Sequence, residues 1–303
     1  MQCGYVGPIG SGNRASGEYF YQLVGRTVFS IFDYERKKKT MNFFCVNKVT
    51  AGYGKSKVIE NISFEMERGS MTGILGANGS GKTTFLKSVG SILPHSGTCS
   101  LNEVVLEELS PRRMAQLVSY IPQRSGISID ISALDVVLMG FNPRLGLLGH
   151  PTQAMRDTAQ KALEQVGLRS KEQTNYLHLS EGQKQLCILA RTLVSECQLL
   201  LLDEPESALD FRYRHLMLDL LRSWIREHQT GALITLHDPM LALNYCDQLL
   251  LFNEGVLIGE LRPQYHSLAK MEELLAKVYG AVSLHRCSNH SGKEFIMMLK
   301  EEA

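Results

Sequence analysis

The chain has 303 residues, which is enough for one large domain or two small ones with a substantial core. Apolar residues make up 44% of it and charged residues 21%, a balance that excludes a globally disordered, collagen-like or coiled-coil chain. The 32 basic and 31 acidic residues leave a net charge of +1, so we expect no nucleic-acid partner. No apolar run approaches the ~18 residues that would span a bilayer.

The seven cysteines are scattered and form no Cys-x-x-Cys pair, which predicts reduced thiols in a cytosolic protein. The densest metal-like cluster of the sequence is His285, Cys287 and His290. Because Ser288–Lys293 has the composition of a polar turn between two apolar strands, we predict a solvent-facing hairpin there rather than a metal site.

Residues 1–40 differ in composition from the rest of the chain. The apolar stretch Phe20–Phe32 is short and interrupted, and the charge run Glu35–Lys39 follows it, the reverse of the order in a signal peptide. The first clean strand pattern begins at Met41. We therefore predict that 1–40 are a disordered or non-native extension and that 41–303 form the folded domain.

Residues 41–123 predict the first part of an α/β layer. Short apolar runs typical of strands occur at Phe43–Lys48, Val58–Phe64 and Met71–Leu75. A helix that stops at Pro94 is expected next. Its predicted apolar face consists of Phe85, Leu86, Val89, Ile92 and Leu93.

Residues 124–196 predict a helical insert with few strand signals. Thr152–Val166 has the amphipathic pattern of a helix, and Gly167 stands where a C-terminal glycine cap belongs. A second helix is expected from Ser180, a favoured N-cap residue.

Residues 197–303 predict a return to α/β structure. Gln198–Leu202 is a nearly continuous apolar run, as in a strand that is buried on both faces. The other predicted elements are a helix at 211–227, strands at Ala232–Leu236 and Gln248–Phe252, a helix at 269–279 and a terminal hairpin.

A glycine-rich motif follows the apolar run Met71–Leu75. Glycines let the backbone wrap a phosphate, and the start of a helix adds partial positive charge. Lys82 can reach the β- and γ-phosphates and Thr83 can ligate Mg²⁺, so the motif predicts a nucleoside triphosphate site. Its residues, which match Gly-x-x-x-x-Gly-Lys-[Ser/Thr], are Gly76, Ala77, Asn78, Gly79, Ser80, Gly81, Lys82 and Thr83.

Two further motifs carry chemistry. The apolar run Leu199–Leu202 ends in Asp203, which would hold Mg²⁺, and in Glu204, which is placed to orient or deprotonate an attacking water. Ser180 and Gly182 open the second helix of the insert, where they are either a second anion site or a plain N-cap. The residues alone leave both readings open.

The order of these motifs resembles the ATP-binding cassette (ABC) family of ATPases over about residues 42–262. The resemblance implies an α/β fold, a P-loop NTPase (RecA-like) core with an antiparallel β subdomain and a helical insert. It places the RecA-like core at about 41–123 and 197–262 and the helical subdomain at about 124–196. A C-terminal helix and hairpin follow at 263–303.

The same resemblance implies roles for single residues. Tyr53 resembles the aromatic residue that stacks on adenine, Gln123 the glutamine that senses Mg²⁺ and the γ-phosphate, and His237 the switch histidine. The implied catalytic residues are Lys82, Gln123, Glu204 and His237, and the implied metal residues are Thr83, Gln123 and Asp203. The implied ATP-binding residues, besides the glycine-rich motif, are Tyr53, Thr84, Ser180, Gly182, Gln183 and Asp210.

The family's arrangement also implies a homodimer in which Ser180–Gly182 of one subunit cover the γ-phosphate held by the other. Two ATP molecules are then buried between identical patches. Glu181 stands where the family usually has glycine. We expect binding to survive, because Ser180 and Gly182 are the residues that contact phosphate, although a carboxylate near a triphosphate could weaken dimerisation.

Three segments resemble ATPases of bacterial importers for ferric siderophores, haem and cobalamin: Ala133–Gly146, Leu179–Val194 and Glu272–Ala281. Phe141 departs from that pattern, since those importers often have arginine there. The resemblance implies an importer ATPase for iron-siderophore complexes, with haem or cobalamin as alternatives. Its implied partners are a membrane permease and an extracellular or periplasmic substrate-binding protein, and its implied location is the cytoplasmic face of the plasma membrane.

Three other classes remain as alternatives. An exporter cassette is often fused to membrane spans, and a non-transport ABC ATPase would need a coiled-coil insert or two cassettes; the sequence has none of these. A binding module with a dead site is disfavoured because Lys82, Asp203, Glu204 and His237 are all present.

Overall fold

Three β-sheets and eight α-helices make up the part of the chain that the computed structural model describes, residues 43–123, 126–146 and 149–301. The predicted extension at 1–40 lies outside the described residues. Within the described ranges no helix is both long enough and apolar enough to cross a membrane.

An antiparallel sheet of four strands has the order β2-β1-β4-β5. Its long strands bury one face, and in β2 the buried positions Ile62, Phe64 and Met66 alternate with exposed ones. Two of its strands, β4 and β5, were not predicted from the sequence. The strands are β1 Phe44–Tyr53, β2 Ser56–Met66, β4 His95–Leu101 and β5 Val104–Val105.

A second sheet of six strands carries the order β10-β9-β3-β8-β7-β6. All neighbours are parallel except β10 and β9. The carboxyl ends of β3, β8, β7 and β6 therefore meet at one edge, where ligands bind in parallel α/β sheets. The strands are β3 Met71–Gly76, β6 Val118–Ile121, β7 Leu199–Asp203, β8 Gly231–Thr235, β9 Gln248–Asn253 and β10 Val256–Leu261.

The helices begin at the polar caps that the sequence supplies. A serine, threonine or aspartate side chain accepts a backbone hydrogen bond at the start of every described α-helix except α1. The helices are α1 Lys82–Val89, α2 Pro111–Leu117, α3 Ala133–Leu138, α4 Gln153–Gln165, α5 Glu181–Leu193, α6 Phe211–His228, α7 Pro239–Tyr245 and α8 Leu268–Tyr279.

The prediction for α1 was wrong at its C-terminal end. The helix ends at Val89 rather than before Pro94, and Ile92, assigned to its buried face, is 53% exposed. Gly90 leaves the helical conformation and Ser91 adopts a positive φ of 53°. The apolar spacing continues to Leu93, but the backbone leaves the helix after Val89.

The helical insert is as predicted. Helices α3, α4 and α5 pack on one another around buried Val136, Leu163 and Ile188. Thr152 and Ser180 are the N-caps of α4 and α5, and Gly167 follows α4 with a positive φ of 75°. The subdomain boundaries proposed from the resemblance remain predictions.

Two apolar cores lie on opposite faces of the six-stranded sheet. In β7, Leu199 and Leu201 join the core shared with the antiparallel sheet and α1, while Leu200 and Leu202 join the core shared with the helical insert. This double burial explains why β7 reads as an unbroken apolar run. It holds the carboxyl end of the strand, and the acids that follow, in a fixed position.

The terminal hairpin is as predicted. Strands β11 (Val282–Ser288) and β12 (Glu294–Lys300) pair antiparallel, and Asn289 Oδ1 accepts hydrogen bonds from the backbone N–H groups of Ser291 and Lys293. Within the described residues His285, Cys287 and His290 are not a cluster of converging metal ligands.

Candidate functional site

The phosphate-binding loop joins β3 to α1 at the carboxyl edge of the six-stranded sheet. Gly79 and Gly81 have positive φ angles of 81° and 98°. A Cβ at Gly81 would lie 2.6 Å from Ile59 Cγ2, whereas one at Gly79 would meet nothing within 4 Å. The loop therefore requires glycine for its conformation and leaves an open cradle beside Gly79 that a phosphate group fits.

Two polar side chains of this loop, those of Lys82 and Ser80, are buried. Lys82 Nζ donates hydrogen bonds to the carbonyl oxygens of Gly76 and Ala77 at 2.8 and 3.1 Å. Burial lowers the pKa of Lys82, and Glu204 and Asp203 oppose that shift. Ser80 Oγ is buried without a hydrogen-bond partner among the described residues. A buried hydroxyl group without a partner and a lysine bonded to two carbonyl oxygens are both free to donate hydrogen bonds to the oxygens of a triphosphate.

The oxygen atoms suited to Mg²⁺ gather around Asp203 at the end of β7. The hydroxyl groups of Thr83 and Thr235 each donate to Asp203 Oδ1 at 3.0 Å. Tyr120 donates to Oδ2 at 3.3 Å, and burial, with Asp203 nearby, raises the pKa of the Tyr120 phenol. Carboxylate and hydroxyl oxygens are the donors that Mg²⁺ prefers, so Thr83 and Asp203 fit the ion.

Glu204 follows Asp203 and is the meeting point of two other predicted residues. Its Oε2 accepts a hydrogen bond from Gln123 Nε2 at 2.6 Å and lies 2.7 Å from His237 Nε2. Its backbone has a φ of +48°, and its N–H donates to Thr235 Oγ1 at 2.8 Å. A non-glycine residue in this conformation is strained, and such strain concentrates at functional sites.

A second acid, Glu206, holds the backbone of His237. Its Oε1 accepts a hydrogen bond from the backbone N–H of His237 at 3.0 Å, while Oε2 is buried without a partner in the described part of the chain. Burial raises the pKa of this carboxyl group, and the His237 N–H opposes the shift.

Tyr53 and Thr84 occupy the flanks of the site. Tyr53 is half exposed at the end of β1 and is near enough to Tyr120 to contribute to the raised pKa of that phenol. Thr84 is buried in the first turn of α1, one residue after Thr83.

Among the described residues, no hydrogen bond joins Ser180, Gly182, Gln183 or Asp210 to the phosphate loop at Gly76–Thr84. Ser180 and Gln183 form a reciprocal capping box at the start of α5. Glu181 pairs with Lys184 at 2.8 Å, and Asp210 is the N-cap of α6.

Sequence reasoning missed Tyr120, Thr235, Glu206 and Gln185. The first three contact Asp203, Glu204 or His237, and Gln185 Nε2 donates to the carbonyl oxygen of Gln123 at 2.8 Å. Thr235 and Tyr120 lie at or near strand ends on the same sheet edge. That placement could identify them as site residues only once the strand order is known.

Comparison with known proteins agrees with this geometry. The family model described as ABC transporter matches residues 59–207. YvrA of Bacillus subtilis, an uncharacterised ABC transporter ATP-binding protein, is 32% identical over 84% of this chain, which spans only 57% of that protein's length. A Helicobacter pylori protein named for iron chelatin transport, also an ATP-binding protein, is 34% identical over 70% of this chain and 84% of its own length.

Two further proteins, one relative and one solved structure, are similar to this chain. The hemin import ATP-binding protein HmuV of Bordetella avium is 34% identical over 69% of this chain and 82% of its own length. A nucleotide-free ATP-binding cassette from an ABC transporter superposes with a TM-score of 0.69 at 22% identity, covering 78% of this chain and 97% of that one. The phosphate loop, the paired acids and the relatives agree: the chain belongs to the ABC transporter family and has the ABC ATPase fold.

Proposed function

We propose that this subunit hydrolyses ATP to power a bacterial importer. The observation that carries the proposal is the convergence on Glu204 of Gln123 and His237, at the sheet edge that also holds Asp203 and the phosphate loop. A positioned carboxylate with two polar neighbours is suited to orient an attacking water and accept its proton.

The other residues supply binding and charge neutralisation. Lys82 is placed to exchange its bonds to the Gly76 and Ala77 carbonyl groups for bonds to the β- and γ-phosphates. Thr83, Asp203 and Gln123 are the proposed Mg²⁺ residues, and the ion would neutralise phosphate charge when bound. His237, held through its backbone by Glu206, is placed to contact the γ-phosphate side of the site.

A second copy of the chain completes the site in this proposal. In the described part of the chain, Ser180, Gly182, Gln183 and Asp210 make no hydrogen bond to the phosphate loop of their own subunit, and in a two-fold dimer the same patches from the partner would close it. The start of α5 offers N–H groups and a helix N-terminus to the γ-phosphate there. Tyr53, exposed beside the site, is the proposed adenine platform.

The relatives support a proposal for the class of cargo. Proteins named for iron chelatin transport and for hemin import are each 34% identical to this chain. We propose that the importer carries an iron-siderophore complex; haem is the second candidate, supported by the hemin import relative. A membrane permease and a substrate-binding protein would select the cargo.

The experiment is an affinity purification of the tagged chain from detergent-solubilised native membranes, with partners identified by mass spectrometry. We expect a many-span permease together with an extracellular or periplasmic binding protein, which is then tested against iron chelates, haem and cobalamin. Recovery of soluble partners alone would contradict the importer role and leave only the ATPase chemistry.

A further inference from the structure

We infer that His95, Cys99 and Glu107 form a binding site for a divalent transition-metal ion of the Zn²⁺ type, separate from the ATP site. His95 and Cys99 lie on β4, and Glu107 lies in the one-turn 3₁₀ helix Leu106–Glu108 that follows β5. One imidazole nitrogen, one thiol sulfur and one carboxylate oxygen lie within 4.8 Å of one another. In the described part of the chain no other group of three such side chains converges in this way.

The distances are close to those of a tetrahedral zinc site. His95 Nε2 is 2.9 Å from Glu107 Oε1 and 4.0 Å from Cys99 Sγ. Zinc bonds of ~2.0–2.3 Å at tetrahedral angles require ligand atoms about 3.3–3.6 Å apart. Side-chain rotation would have to change these two separations by about half an ångström each. It would also have to bring the Cys99 thiol and the Glu107 carboxylate, which lie within 4.8 Å of each other, about an ångström closer.

The surroundings of His95 orient its ring for coordination. Nδ1 lies 3.4 Å from the carbonyl oxygen of Leu93, which would accept a hydrogen bond from Nδ1–H when Nε2 coordinates an ion. Without an ion, Nε2 lies at hydrogen-bond distance, 2.9 Å, from Glu107 Oε1, which also accepts a hydrogen bond from the backbone N–H of Cys99 at 2.8 Å. Metal-binding histidines are commonly held by such a carbonyl group on the second ring nitrogen.

The charges that the ligands would carry match those of a divalent cation. Cys99 is fully buried. A bound ion would displace the proton of its thiol, and the resulting thiolate and the Glu107 carboxylate would balance the two positive charges of the ion.

The site is accessible without unfolding. The His95 side chain is only 4% exposed, but that of Glu107 is 27% exposed. Both residues line an open groove of about 590 Å³ that also includes Met114 and Tyr120. The groove provides an entry path and room for a water molecule as the fourth ligand.

A bound ion would join two segments of the fold. Its ligands connect the start of β4, just after the segment that follows α1, to the 3₁₀ helix at Leu106–Glu108. Because the ion would cross-link these two segments, we expect it to raise the thermal stability of the subunit. Tyr120, on the wall of the same groove, donates a hydrogen bond to Asp203.

The test is a titration of the full-length, metal-stripped chain with Zn²⁺ in the absence of nucleotide, followed by calorimetry and by the melting temperature. Co²⁺ serves as a spectroscopic probe, since a thiolate-to-cobalt charge-transfer band reports sulfur ligation. The variants are Cys99→Ser, Glu107→Gln and His95→Gln, each close to its parent in size. Cys287→Ser, on the terminal hairpin, is the matched control.

We expect the wild type and Cys287→Ser to bind one Zn²⁺ tightly, with a rise in melting temperature. Each ligand variant should lose at least tenfold in affinity, as even loss of outer-shell partners costs about that much. Cys99→Ser should also lose the cobalt band. The proposal is overturned if the wild type shows no saturable Zn²⁺ binding, since His95 and Glu107 would then form only an ion pair. It is also overturned if correctly folded Cys99→Ser and Glu107→Gln bind Zn²⁺ as tightly as the wild type.

Discussion

At the scale of single residues, the site depends on a carboxylate oxygen that two side chains share. Glu204 Oε2 lies 2.6 Å from Gln123 Nε2 and 2.7 Å from His237 Nε2. An amide in place of the acid keeps the shape and the neighbours but cannot accept a proton from water. The role of Glu204 can therefore be separated from ATP binding.

We expect Glu204→Gln to keep ATP binding, to lose turnover and to accumulate as an ATP-bound dimer, because in the proposed mechanism hydrolysis releases the two subunits. Phosphate release, nucleotide binding and light scattering measure the three properties. Glu227→Gln, an exposed acid on α6, is the control. Phosphate release by Glu204→Gln at the wild-type rate would refute the proposed role.

Glu206 leads to a prediction about stability and pH. It is 2% exposed, and burial raises the pKa of its carboxyl group above that of the unfolded chain. In the interval between the two pKa values the folded state binds more protons than the unfolded state, so stability falls as pH rises through it. A glutamine at this position does not titrate and still accepts the His237 N–H bond.

We therefore expect Glu206→Gln to melt at a higher temperature than the wild type at about pH 8, with the difference shrinking towards about pH 5. Melting curves across that range, with Glu227→Gln as the reference variant, make the measurement. A difference that widens as the pH falls would show that the buried acid is stabilising when charged.

At the scale of elements, the start of α5 shows how one motif can serve two purposes. Ser180 and Gln183 cap the helix of their own subunit, and in the proposed dimer the same turn faces the partner's nucleotide. Glu181 lies in the first turn, where an acid is favourable, and its charge is paired with Lys184. The charge that departs from the family pattern is thus partly offset before any nucleotide arrives.

We expect Glu181→Gly not to lower ATP-dependent dimerisation, even though glycine in a helix costs about 1 kcal/mol relative to good helix formers. The dimer fraction, measured by light scattering in a Glu204→Gln background, is the readout. The control is Lys184→Ala, which breaks the same ion pair and keeps Glu181. A lower dimer fraction in Glu181→Gly alone would assign Glu181 a positive role.

At the scale of the whole molecule, the proposed dimer, in which Ser180 of one chain closes the phosphate loop of the other, predicts that each site needs two chains. A Lys82→Ala subunit has a damaged phosphate loop but an intact Ser180 turn. A Ser180→Phe subunit has the opposite defect. In a mixed dimer one composite site combines both defects, and the other is built from the two intact halves.

We expect each variant alone to be nearly inactive and the mixture to regain ATP hydrolysis well above either. The measurement is phosphate release as a function of mixing ratio, with a maximum near equal amounts. A Lys82→Ala, Ser180→Phe double variant mixed with either single variant is the control, since no dimer in that mixture has an intact site. No recovery in the first mixture, with dimers still forming, would contradict the shared site.

Much of the local structure could be predicted from the sequence because its causes are local. The phosphate loop depends on consecutive residues, the caps at Thr152 and Ser180 act on the next turn of helix, and Leu199–Leu202 reads as a buried strand. The end of α1 could not be read from apolar spacing, because the turn at Gly90 and Ser91 and the exposure of Ile92 depend on what packs around them.

The sequence alone was sufficient for the family, the ABC ATPase fold and the candidate residues of the nucleotide site, since each lies in a short motif whose order is diagnostic. The tertiary structure decided which strands are neighbours, and hence that Thr83 meets Asp203 across 120 residues and that Gln123 and His237 meet at Glu204. It also brought together Tyr120 with Asp203 and His95 with Cys99 and Glu107. The contacts of Asp203 and Glu204 arise from the pairing of distant strands, and the cluster at His95 arises from the turn of the chain after β4, neither of which apolar periodicity and single motifs encode.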